Sequence, residues 1–150
     1  MKKYRKTKAL SIICLITNKN KYTRCFCYEY INTACYLLNL SDRAPYKIDV
    51  TTINHNNISE NLEIHYVSKD KFNIGITEIK SPYGNPIKVY NAERCICDLL
   101  KNKNEVDIEL YNKIIKNYFK QSKKDLMTLE EYAKIFNIQE KFENIMEVLI

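Results

Sequence analysis

The sequence predicts an α+β domain: an N-terminal helix, a small, mainly antiparallel sheet containing a hairpin, and about four helices at the C-terminal end. Three observations carry this. Between Tyr46 and Tyr90, apolar and polar residues alternate in short runs, the period of half-buried strands. From Asn91 onward, apolar residues recur every three or four positions, the period of amphipathic helices. Strands gathered first and helices after them argue against alternating βαβ units.

The 150 residues are 45% hydrophobic and 28% charged, with two glycines and three prolines. That composition excludes collagen-like, linker-like and disordered classes, and the length suffices for one core without disulfides or metal. Residues 28–40 read as the first helix, with Ile31, Ala34, Cys35 and Leu38 at helical spacing and Ser41-Asp42 ending it. Residues 46–52 alternate Ile48 and Val50 against Lys47, Asp49 and Thr51; residues 62–66 alternate Leu62, Ile64 and Tyr66 against Glu63 and His65. The polar, asparagine-rich stretch 54–59 between them reads as a surface loop. Residues 74–79 and 86–90 flank Ser81-Pro82-Tyr83-Gly84-Asn85, a turn-forming string that predicts a hairpin.

Asn91 is a predicted N-cap, followed by an apolar stripe of Ala92, Cys95, Ile96, Leu99 and Leu100 and by Glu93, placed early where a carboxylate suits the helix dipole. A second helix is expected over 106–120, burying Ile108, Tyr111, Ile114, Ile115, Tyr118 and Phe119. A third begins near Asp125 with Leu126, Leu129, Tyr132, Ala133 and Phe136. The last, after Ile138, carries Phe142, Ile145, Met146 and Leu149.

The net charge of +6 is unevenly spread. Residues 1–28 hold eight basic side chains and no acidic one, whereas the remainder has 16 basic and 18 acidic residues, a net of −2. An electrostatic nucleic-acid footprint would therefore lie in a basic tail, residues 1–27, and not in the domain expected over 28–150. Lys2, Lys3, Arg5, Lys6 and Lys8 followed by the apolar run 9–16 resemble the start of a signal peptide, but no small-residue cleavage site follows and the run is too short to span a bilayer. The six cysteines are not needed as staples for this core, so the sequence reads as a reduced, cytoplasmic protein with no membrane partner.

Residues able to carry chemistry are sparse. His55 and His65 share no face with a full ligand set, Glu63 alone accompanying His65, and read as solvated. Cys95 and Cys97 are two apart on a helix, about 200° of rotation, and are expected to face opposite ways; Cys25 and Cys27 are a similarly weak pair. Gly75 and Gly84 are isolated and form no phosphate loop. Asp42 and Asp49 lack the Gly-Ser turn that a nucleotidyltransferase places beside its metal-holding carboxylates. The expectation is a protein that is not an enzyme, with no catalytic residue, no cofactor and no metal. Arg94 and Asp98, four apart, are predicted to pair. Arg43 and Arg94 are two of only four arginines; their planar forks predict bonds to acids among Asp42, Asp49, Glu93 and Asp98, fixing the 41–45 loop against the sheet and the helix at Asn91.

Residues 40–51 read Leu-Ser-Asp-Arg-Ala-Pro-Tyr-Lys-Ile-Asp-Val-Thr, and residues 84–100 read Gly-Asn-Pro-Ile-Lys-Val-Tyr-Asn-Ala-Glu-Arg-Cys-Ile-Cys-Asp-Leu-Leu. Together they resemble the C-terminal region of the AbiEi family, antitoxins of AbiE-type abortive-infection systems. In that family a Leu-Ser-Asp-Arg-x-Pro stretch leads into a strand ending in Thr, and a Tyr-Asp-x-Glu-Arg-x-Ile-x-Asp-Leu helix follows a hairpin. The closing residues 145–150 are similar to that family's ending as well, and the resemblance covers roughly residues 32–150, with Asn91 standing where Asp is usual. It implies an antitoxin of phage defence that counteracts a nucleotidyltransferase-like toxin, in a family whose members also repress their operon through an N-terminal winged helix. Forty residues precede Ser41, too few for a full winged helix, so the chain reads as an antitoxin-like body with a truncated or remodelled start. The alternative is a repressor that binds operator DNA through the basic tail. The resemblance marks Ser41, Asp42, Arg43, Pro45, Asp49, Glu93, Arg94 and Asp98 as structural or partner-binding residues.

Overall fold

The computed structural model describes residues 27–29, 31–53, 62–81 and 84–149. Its strands are β1 (Cys27–Glu29), β2 (Ile48–Thr52), β3 (Leu62–Tyr66), β4 (Ile76–Lys80) and β5 (Pro86–Tyr90), joined in one sheet in the order β3-β2-β1-β5-β4. The expected hairpin is present: β4 and β5 pair antiparallel, with Ile76 opposite Tyr90 and Lys80 opposite Pro86. β1 lies in the middle, antiparallel to β2 and parallel to β5. β3 runs parallel to β2 at one edge. The α+β class expected from the sequence is the one observed, with a sheet more evenly mixed than its hairpin suggested.

The first helix is shorter than expected. Residues 28–40 contain the last two residues of β1 and then α1 (Ile31–Leu37). A three-residue strand is too short to show alternation, and its parallel neighbour β5 lies some sixty residues along the chain, so local pattern could not reveal it. The helix ends before Leu40 because Asn39 takes a left-handed conformation, φ 58°, and the Leu40 and Ser41 N–H groups turn back to the Cys35 carbonyl at 2.8 and 3.2 Å. This closure satisfies end carbonyls of the helix and returns Leu40 to the core, fully buried. Cys27, expected in the tail, opens β1; the rest of the tail, with Cys14 and Cys25, and His55 lie outside the described residues.

A single turn, α2 (Lys69–Phe72), follows β3 and buries Phe72; four residues carry no readable period. The C-terminal half is α3 (Ala92–Lys101), a 3-10 turn (Lys103–Glu105), α4 (Ile108–Lys120), α5 (Leu126–Ile135) and α6 (Gln139–Leu149). Asn91, Asp107 and Asp125 cap α3, α4 and α5, their side chains accepting from the N–H groups of Arg94, Leu110 and Thr128 at 2.9, 3.0 and 3.0 Å. Short polar side chains here satisfy amides that the first turn leaves without partners.

α3 is the axle of the fold, packing on α1, α4, α5 and α6. Every residue from Glu93 to Leu100 is buried, so the single apolar stripe expected of it is corrected to a helix covered on all sides. Cys95 and Cys97 are both buried, not turned to opposite environments. Ile108, expected in the core, is 59% exposed because it is the first residue of α4 and precedes the buried row Tyr111, Ile114, Ile115 and Tyr118. α6 has no fully buried residue, and Leu149 at its end is exposed.

Candidate functional site

The sequence-marked residues other than Glu93 occupy three places. The first is the buried face where α3 meets the turn after α2. The side chains of Arg94 and Asp98 are only 1% and 6% exposed, and the guanidinium Nε donates to Asp98 Oδ2 at 2.8 Å. Arg94 Nη1 also donates to the carbonyls of Lys71 and Ile74, at 2.8 and 3.0 Å. The guanidinium lies over the rings of Tyr90 and Phe136, at 4.4 and 4.1 Å. One arginine thus ties β5, α3, α5 and the α2 turn together, because its planar fork bonds at the edge and stacks on its faces. Burial pushes the Asp98 carboxyl above its ordinary range, and the Arg94 guanidinium opposes that shift. The Arg94–Asp98 pair is the one the spacing predicted; the two carbonyls and the two rings were not legible, since nothing in the local pattern joins residue 94 to residues 71, 74 and 136.

The second place is the top of α1. Asp49, buried on β2, accepts from the N–H groups of Asn32 and Thr33 at 2.9 and 2.7 Å and from the Thr33 hydroxyl. The Asp49 N–H donates back to Thr33 Oγ1 at 3.1 Å. A strand carboxylate therefore caps a helix from another part of the chain. Glu93 does similar work: its Oε1 accepts from the Tyr118 hydroxyl at 3.1 Å and from the Asp125 N–H at 3.2 Å, holding α4 and the start of α5 to α3. Burial, with Glu93 beside it, pushes the Tyr118 hydroxyl well above the ordinary tyrosine range.

The third place is the surface loop 41–46. Ser41 is buried and its Oγ accepts from the Arg43 N–H at 3.1 Å, which shapes the turn. Asn117 on α4 donates to the Leu40 carbonyl at 2.9 Å, and Lys113 pairs with Asp42 at 2.6 Å. Arg43 is exposed and reaches Asp107 only at 4.0 Å. The expected link from Arg43 to Asp42, Asp49, Glu93 or Asp98 is thus replaced by one to the N-cap of α4. The loop is fixed to α4 and not to the start of α3. Pro45 is half-buried, and Tyr46 beyond it is 91% exposed. Tyr46, Asp107, Lys113 and Asn117 were not singled out by sequence; only the capping position of Asp107 could have been read.

Cys35, Cys95 and Cys97 are free, buried thiols. Contact with the Cys35 thiol and burial push Cys95 up, and burial pushes Cys97 up to about 12. His65, expected to be solvated, is half-buried beside Thr51 in the β2–β3 register. Among the described residues no three His, Cys, Asp or Glu side chains are grouped as metal ligands would be. Nor is any described helix long and apolar enough to cross a membrane. Each buried acid has at least one oxygen committed to a backbone amide, a hydroxyl or a guanidinium, whereas Asp42, Arg43 and Tyr46 face outward on a loop held from behind. No protein-family model matches the chain, and no curated protein matches it significantly.

Proposed function

We propose that this chain is a non-enzymatic antitoxin of a phage-defence, abortive-infection system, acting in the cytoplasm without a cofactor against a nucleotidyltransferase-like toxin. The reading rests on the AbiEi-like segments and is supported by one observation: within those segments, Asp49, Glu93, Arg94 and Asp98 are buried and serve the fold, whereas Asp42 and Arg43 are exposed together on one braced loop, apart from the exposed Lys47 and Lys88 at the strands. Asp49, Glu93, Arg94 and Asp98 accept or donate inside the body, where a general acid or base would need a face open to substrate. Asp42, Arg43 and Tyr46 are available to a protein partner, and arginine and tyrosine are the side chains that most often anchor such contacts. The test is co-expression of the full chain with a cognate nucleotidyltransferase-like toxin, scoring rescue of growth.

A second reading, repression of the operon through DNA contact, draws on the eight basic and no acidic residues of 1–28. It requires duplex binding that weakens steeply with salt. Duplex binding without growth rescue would favour that reading over the antitoxin.

A further inference from the structure

Two helices carry complementary rows of charge. On α4, Lys113, Lys116 and Lys120 are exposed, at spacings of three and four residues that keep them on one face. On α6, Glu140, Glu143 and Glu147 are exposed at the same two spacings. Among the described residues Lys113 pairs with Asp42, and the other five have no ion-pair partner. Lys141, the one basic residue of α6, donates instead to the Leu100 and Lys101 carbonyls at the end of α3. Like charges three and four apart on a helix repel, and Glu147 also sits near the negative end of its own helix dipole. Among the described residues only Asp42, paired with Lys113, offsets these placements.

We propose that a second copy of this chain offsets them, with α4 of one copy lying antiparallel on α6 of the other. The two helices pack on α3 by their apolar sides, so their charged rows point outward and are brought together by another molecule. The antiparallel register sets Lys113 against Glu147, Lys116 against Glu143 and Lys120 against Glu140, and it opposes the two helix dipoles. Glu109, the acid on the lysine face, then lies beyond Glu147 and meets no glutamate. Val148, 82% exposed beside Glu147, contributes apolar area at the flank. Each copy offers one row of each sign, so each can supply either side of such a seam. Exposed ion pairs are screened by salt, so the assembly is weak and salt-sensitive.

Sedimentation velocity of the full chain at low and high salt tests this, with two charge-reversed variants, K116E/K120E and E140K/E143K. The parent should self-associate at low salt and separate at high salt. Each variant alone should associate at least about tenfold more weakly. An equimolar mixture of the two should regain association, because the reversed lysine row of one then meets the reversed glutamate row of the other. A parent that stays monomeric at low salt, variants that associate as the parent does, or a mixture that stays apart would each overturn the proposal.

Discussion

Gly75 and Arg94 stand so close that a Cβ placed on Gly75 would lie 2.6 Å from the Cβ of Arg94. The turn between α2 and β4 can therefore approach α3 only without a side chain, and it is this approach that lets the Ile74 carbonyl accept from Arg94 at 3.0 Å. Gly75 also has φ +79°, the left-handed region in which other residues are strained. Gly75→Ala should cost about 2–4 kcal/mol in urea unfolding from the clash and the backbone strain together. Gly84, at φ +85° with nothing within 4 Å, carries the strain alone, and Gly84→Ala should cost about 1 kcal/mol. Equal costs for the two would show that the Arg94 contact is not what excludes a side chain at 75.

Removing Arg94 leaves the buried Asp98 carboxylate and two carbonyls without their donor. Arg94→Met is expected to destabilise by about 3–5 kcal/mol. Adding Asp98→Leu to it should recover part of the loss, since no uncompensated charge then remains. A double-mutant cycle in denaturant measures this; additive losses would mean that the two side chains act independently.

Asp49→Ala should cost about 2–3 kcal/mol, because the amides of Asn32 and Thr33 and the Thr33 hydroxyl lose their acceptor inside the protein. Asp49→Asn keeps one acceptor oxygen and should lose about half as much. Thermal melts followed by circular dichroism would give the order Ala below Asn below parent; an Asn variant less stable than the Ala variant would contradict the capping role.

The alkaline limit of stability follows from the thiols. Burial raises the Cys97 thiol from 9.0 to about 12, so the folded chain keeps its proton where the unfolded chain releases it. Its stabilising contribution is complete below pH 9 and declines as pH rises from there toward 12. The decline approaches ~1.4 kcal/mol per pH unit for one proton. Cys95 and Tyr118, also pushed up, add in the same direction. Denaturant midpoints across that range should fall less steeply for Cys97→Ser than for the parent; identical slopes would show that Cys97 is not protected in the fold.

Local pattern made much of this legible. The hairpin at Gly84, the cap Asn91, the helix start near Asp125 and the Arg94–Asp98 pair each depend on residues within a few positions of one another, and each was readable. β1 was not, because a strand of three residues takes its identity from neighbours elsewhere in the sheet. The burial of Glu93 and Cys97 was also hidden, since a helix covered on all sides has charged residues on what its sequence marks as a polar face. At the candidate site, Asp42 and Arg43 were legible as a motif, but their docking on Lys113 and Asp107 joins segments more than sixty residues apart.

The braced loop 41–46 is where the proposed activity meets the fold, and plating efficiency under toxin induction tests it most directly. Cells expressing a cognate nucleotidyltransferase-like toxin would carry the parent chain or the Asp42→Ala/Arg43→Ala variant. Both side chains are exposed, so the variant should match the parent's stability to within about 1 kcal/mol. The parent should restore plating to the level of uninduced cells, and the equally stable variant should not. Growth arrest that persists with the folded parent chain present would contradict the antitoxin reading, and full rescue by the variant would contradict the role given to this loop.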